Sequence, residues 1–317
     1  MARSTVKVAG FSLIELMIAL ALGLLLSTAM IDVTLNASRS HRHLQLATEV
    51  LENGRYLTGL LTREVRLAGY YGDTDVIPNV VSARSPTCNE TSSEALTAAL
   101  RYPVYGFNDV SAGASICGIG GFLAGTDLLL VRRADTQTVL LGKKLHPRQH
   151  YLQSAPLVIL LDSGAMASRF SLTAKDGVTA IALREFHQTY YYVDGDRNLK
   201  RRRLIRGKYG RAEPLVEGVD DFQVLYGIDR SGNGIPNAEA SAPAYVSLPS
   251  SNEDWSNVVS VKLYLLLSST AEAPGANDPK HYSYAEKTDI SFDDSRKRRL
   301  FTTVISLRNP SMKRAGI

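Results

Sequence analysis

From Phe11 to Ile31 the chain is almost uninterruptedly apolar, and Glu15 is the one charged side chain in the run. About 20 residues of helix are enough to cross a hydrocarbon layer of roughly 30 Å. An ionised carboxylate at membrane depth costs on the order of 2–3 kcal/mol, less near the end of a span. Glu15 therefore calls for a partner, and the run contains no cation to serve. Before the run stand ten residues, Met1 to Gly10, with Arg3, Lys7 and no acid. A secretory signal places its cleavage site after the apolar core; here the small residue, Gly10, precedes it. Cutting after Gly10 keeps the apolar helix and creates an α-amine on Phe11. That amine is the expected partner of a Glu15, its own or a neighbour's. The neighbour's is favoured, because within one chain the two groups sit at a helix end that frays.

After Asp32 the pattern turns polar through Asn36, Ser38, Arg39, Ser40, His41, Arg42 and His43. An apolar stripe then recurs at intervals of three and four: Leu44, Ala47, Leu51, Gly54, Leu57, Leu61, Val65 and Ala68. That period is the mark of an amphipathic helix. Glu49, Glu52, Arg55, Arg63, Glu64 and Arg66 fall off the stripe, and no proline occurs between positions 11 and 77. One continuous helix over 12–68 is predicted, on the order of 85 Å long at 1.5 Å per residue. Gly69, followed by Tyr70, Tyr71 and Gly72, supplies the stop.

Residues 70–125 read as irregular, broken by Pro78, Pro86, Pro103 and the cluster Thr91-Ser92-Ser93, with a short helix over Glu94–Arg101. From 126 onward strands dominate. They are expected at Asp127–Arg133, Leu157–Leu161, Phe186–Val193, Leu199–Ile205, Val219–Ile228, Val258–Leu267 and Leu300–Leu307. Asp194-Gly195 predicts a hairpin turn between the third and fourth of these. The implied fold is α+β: a long N-terminal helix whose second half is covered by an antiparallel sheet. The expected organisation is a leader over 1–10, a helix over 11–69 with the span at 11–31, and a head over 70–317, β-rich from 126.

The chain has 317 residues, 44% hydrophobic and 21% charged, so the portion beyond the span can build a packed core. A formal net charge of +5 becomes +3 once Arg3 and Lys7 leave with the leader, too mild to argue for nucleic acid. Arg39 and Arg42 after the span balance Arg3 and Lys7 before it, so charge alone does not orient the helix. The chain has two cysteines, Cys88 and Cys117. An even number suits an oxidising compartment, and a bridge over that loop would add about 3–4 kcal/mol; two unpaired buried thiols are the alternative.

The run of a short basic leader, Gly10, Phe11, four positions to Glu15 and an apolar span resembles the type IV prepilins and type II secretion pseudopilins. The resemblance implies cleavage after Gly10 by prepilin peptidase, N-methylation of Phe11 and a docking role for Glu15 on a neighbour's amine. It also places the head outside the cytoplasm. Three later segments, Leu215–Gly227, Trp255–Leu263 and Arg298–Asn309, resemble the PilW group of minor pilins and, more distantly, the J-type pseudopilins. Size, Asp32 where many major pilins carry a kinking proline, and cysteines away from the C-terminus depart from the major-pilin pattern. The implied partners are other minor pilins and the tip complex, the major pilin, prepilin peptidase and the inner-membrane assembly machinery. The implied role is to start pilus assembly and support twitching motility, with a type II secretion pseudopilin as the alternative.

No catalytic constellation stands out, and no cofactor is expected. Two cysteines without nearby histidines do not make a zinc site. His41 and His43 point to different helix faces, and His187 reads as a cross-strand packing residue. Asp194–Asn198 and Asp229–Gly234 have the flavour of calcium loops but lack the alternating acids and distal Glu of an EF-hand. Two basic clusters remain: Lys200, Arg201, Arg202, Arg203 and Arg296, Lys297, Arg298, Arg299. With Tyr190, Tyr191 and Tyr192 they sketch a nucleic-acid patch for a DNA-uptake role. Strand alternation splits each cluster between two faces, so solvated edge protection is the favoured reading and nucleic acid the disfavoured partner.

Overall fold

A computed structural model describes residues 10, 12–72, 74, 91–139, 144–239, 242–273, 275 and 279–316. Its spine is one helix, α1 (Leu13–Arg66). From Ser12 to Arg42 every side chain on it is exposed. Among the described residues it is the one helix long and apolar enough to cross a membrane. Leu46, Val50, Gly54, Leu57, Leu60, Leu61 and Val65 form its buried face. The stripe thus begins later than the sequence suggests. Leu44 is exposed, and Ala47 and Leu51 line an open groove beside Tyr282 and Leu300, because at this height the head covers the neighbouring face, that of Leu46 and Val50. The helix stops where expected. Gly69 adopts φ +73° and gives its N–H to Arg132 O at 3.0 Å, a left-handed conformation that glycine takes without a Cβ penalty.

A short helix, α2 (Ser93–Ala99), leads into the first sheet. Among the described residues this sheet holds β1 (Val104–Val110), β2 (Thr126–Thr138), β3 (His150–Ala155), β4 (Val158–Ser163), β5 (Arg184–Val193), β6 (Leu199–Ile205), β7 (Lys208–Tyr209) and β8 (Glu213–Val216). Its main order is β1-β2-β5-β3-β4, all antiparallel, and β6 shares the far edge of β5 with β3. The second sheet runs β10 (Tyr245–Val246), β9 (Val219–Ile228), β11 (Val258–Ser268) and β14 (Arg298–Ser306). A helical turn, α3 (Asn252–Ser256), precedes β11, and a two-stranded arm, β12 (Tyr282–Tyr284) with β13 (Lys287–Ile290), comes before β14. A C-terminal helix, α4 (Arg308–Ala315), completes the order.

The buried face of α1 packs chiefly on β14 and β11. Leu57, Leu61 and Val65 enter one core with Leu129, Val131 and Tyr191 of the first sheet and Phe222, Val224 and Leu265 of the second. Gly54 has a specific role there: a Cβ on it would stand 2.1–2.5 Å from ring atoms of Phe301 on β14. The two sheets join where Asp127 Oδ2 accepts the N–H of Val224 at 2.7 Å and Gln223 Nε2 donates to Gly125 O at 2.7 Å.

Several expectations need correction. β1 lies within the stretch expected to be irregular, and β3, β12, β13 and α4 had no counterpart, whereas α2 matches the short helix expected over Glu94–Arg101. The hairpin expected at Asp194-Gly195 is present between β5 and β6. The loop runs over five residues between Val193 and Leu199, closed by Asp194 Oδ1 accepting the N–H groups of Asp196 and Asn198, with Arg197 at φ +62°.

Candidate assembly site

The amino-terminal end of α1 is built by two side chains. Ser12, in extended conformation, is the N-cap, and its Oγ accepts the N–H of Glu15 at 3.2 Å. Glu15 returns a carboxylate oxygen to the N–H of Ser12 at 3.0 Å. This reciprocal capping box satisfies two of the backbone donors that a helix start leaves open. Ser-x-x-Glu at positions 12–15 was its signal in the sequence, and the reading of Glu15 as a lone acid overlooked it. Gly10 is exposed, with open space where a Cβ would stand. Phe11 lies outside the described residues. The arrangement presents an apolar rod with one carboxylate at its tip, held by a bond worth about 1 kcal/mol, as N-caps usually are. A cationic amine in an apolar surround offers that carboxylate a stronger, charge-assisted bond.

Cys117 is disulfide-bonded, while Cys88 lies outside the described residues.

Both basic clusters are tied into the fold. On β6, Lys200 pairs with Asp194. Arg201 holds Glu213 with two bonds, 2.8 and 2.9 Å, and Arg203 approaches the same carboxylate at 3.6 Å. Arg202 donates to the carbonyls of Gly210 and Gly118 and lies over the Tyr209 ring. At the second cluster Arg298 is buried. It pairs with Asp220 at 2.7 Å and Asp294 at 2.5–2.6 Å, and stacks 3.8 Å from the Phe292 ring centroid. Its bond to Asp294 holds that carboxyl down to about 2. Arg296 donates to the carbonyls of Ser269 and Thr270. Lys297 is half-buried, and Arg299 is exposed with its guanidinium over Phe301. Tyr190, Tyr191 and Tyr192 are buried, so none offers a face to a base. The tyrosines and Arg298 thus leave the patch sketched from sequence. The two clusters lie on different sheets, and the structure does not bring them together.

In both loops with a calcium-like sequence the leading acid is engaged by backbone N–H groups of its own loop. Asp229 is fully buried and accepts the N–H groups of Gly232 at 2.7 Å and Gly234 at 2.9 Å, plus Arg314 Nε at 2.8 Å. Burial raises its pKa, but Arg314 and those N–H donors outweigh it and keep the carboxyl below its usual range. Among the described residues no group of three or more His, Cys, Asp or Glu side chains is placed to hold a metal. His187 Nε2 lies 3.1 Å from Asp135 Oδ2, a hydrogen-bond contact rather than packing alone.

Comparison with known proteins adds two family matches. Residues 6–31 match the prokaryotic N-terminal methylation motif, and residues 189–309 match the model for type IV pilus-assembly protein W (PilW). The chain is a type IV pilin-like protein with a PilW domain. That domain begins in β5 and ends in α4, so it includes the whole second sheet, against which the pilin helix rests. One solved structure that resembles this pilin-like chain is a type IV-like pilin, TTHA1219 from Thermus thermophilus. It is 15% identical, with 83% of this chain and 97% of that one covered and a TM-score of 0.37. No curated protein matches the sequence. The apolar helix behind a methylation motif gives the pilin-like chain its means of membrane anchoring.

Proposed function

We propose that the mature chain is a minor pilin that helps initiate type IV pilus assembly and supports twitching motility. Prepilin peptidase cuts after Gly10, Phe11 becomes the N-methylated terminus, and the helix crosses the inner membrane once with the head in the periplasm. The helix then passes into a tip or priming complex with other minor pilins and the major pilin. The observation that carries this reading is the bare apolar length of α1, exposed from Ser12 to Arg42, with Glu15 its one acid before Asp32. Membrane interior and filament core are both apolar, so the rod moves between them at little cost, and Glu15 paired with a neighbouring amine selects one register. A bridge between Cys88 and Cys117 would tie down the stretch after α1. The internal pairing of both basic clusters favours a structural role over DNA capture.

Intact mass and N-terminal sequencing of the protein from its native host give the test. A chain starting at methylated Phe11 is expected, and Glu15→Ala should be processed normally yet impair piliation. A fully active protein that still starts at Met1 would overturn the proposal, as would unaltered piliation in the Glu15→Ala strain.

A further inference from the structure

At the β3–β4 edge of the first sheet lies an open pocket of about 450 Å³ whose lining includes Arg148, His150, Arg206, Lys208, Thr91 and Ser92. Three cations meet there, Arg148 from the loop before β3 and Arg206 and Lys208 from the β6–β7 hairpin. Among the described residues, none of the three has an acidic partner, in contrast to most of the cations in the two sequence-local clusters. Like charges do not gather without a reason, and the fold holds these together. The Arg206 N–H donates to Gln149 Oε1 at 3.0 Å, and a Cβ on Gly207 would stand 3.3 Å from the Arg148 carbonyl.

The turn itself is costly. Ile205 pairs with Lys208 across two residues, Arg206 and Gly207, both at positive φ (+52° and +69°). Such turns favour Asn or Asp followed by Gly, and a long side chain in the first position carries strain of about 1 kcal/mol or more. His150 lines the same pocket although only 5% of it is exposed, a polar ring set into an otherwise closed wall. The nearby acid, Asp162, is engaged by Ser93 Oγ, the Ser163 N–H and Arg169.

We propose that this pocket binds a phosphate-type oxyanion, free or esterified, between Arg148, Arg206 and Lys208, with His150 as its buried wall. Two planar guanidinium forks and an ammonium suit a compact tetrahedral anion, which accepts several donors at once. The site is independent of the pilin helix and of the assembly reading.

The test uses the full chain in detergent micelles, titrated with inorganic phosphate against chloride at matched ionic strength, by calorimetry and by NMR of the His150 ring. Phosphate should bind with heat and raise the pKa of His150, which burial lowers and Asp162 opposes. Arg206→Asn suits the turn better, so it should fold at least as stably while weakening binding about tenfold, the effect of losing one charge-assisted bond. Arg148→Gln should weaken it similarly. Glycerol 3-phosphate binding at least as tightly as inorganic phosphate would support an esterified ligand; a clear preference for inorganic phosphate would support the free ion. No phosphate-specific heat, or equal binding by Arg206→Asn, would overturn the proposal.

Discussion

Two glycines on α1 make a controlled experiment. Gly54 and Gly59 stand five residues apart in the same helix, and each costs it about 1 kcal/mol of propensity relative to alanine. At Gly59 nothing lies within 4 Å of a Cβ. Gly59→Ala should therefore stabilise the protein by up to about 1 kcal/mol. At Gly54 the Cβ would fall 2.1 Å from Phe301 Cζ, 2.3 Å from Cε2 and 2.5 Å from Cε1, so the ring has to leave its seat. Overfilling a packed site costs about 1–3 kcal/mol, which cancels or exceeds the propensity gain. Gly54→Ala should come out neutral to about 2 kcal/mol destabilising. For a protein of this size the two variants should separate by about 2–8 °C in melting temperature. Thermal unfolding of the full chain in detergent, followed by near-UV circular dichroism, reads the difference. The double change Gly54→Ala with Phe301→Leu should restore part of the loss. Equal stabilisation by both alanines would refute the claim that β14 seats on the helix through this contact.

Other tests come from the buried charges. Arg298→Met leaves Asp220, 3% exposed, short of one of its two arginines, and should cost about 3–5 kcal/mol, whereas Arg299→Met on the exposed side should cost little. Urea unfolding distinguishes the two, and similar losses would count against the network. Burial pushes the Asp127 carboxyl up to about 8, against partial relief from the N–H groups of Asp109 and Val224. The folded state then keeps a proton that the unfolded state releases above about pH 4. Stability should fall by about 1.4 kcal/mol per pH unit from there towards pH 8. Asp127→Asn should flatten that slope, and an unchanged slope would show that another group sets it.

The methylation motif, the apolar rod and the strands β9, β11 and β14 were legible because each is long and apolar, or carries a distinct local pattern. β3 was not, since His150, Gln153 and Ser154 are polar yet buried. Gln153 bonds the backbone of Leu172 and Ile181, a tertiary partnership that no period reveals. The basic clusters misled for a related reason. Adjacency along the chain made them conspicuous, while Glu213, Asp220 and Asp294, which neutralise them, are partners set by the fold. Arg148, Arg206 and Lys208 escaped notice because only the hairpin at 205–208 brings them together.

Among the described strands, the one that seats on α1 comes last in the chain. Residues 298–306 cover a helix that ends at Arg66, and Asn309 reaches back to the carbonyl of Ala68. In a chain made from its N-terminus the inner stripe at 46–68 therefore exists long before its cover does, and stays wet and adhesive until β14 arrives. Packing of the helix is timed by the arrival of β14, so synthesis that stalls before residue 298 leaves an open, sticky intermediate.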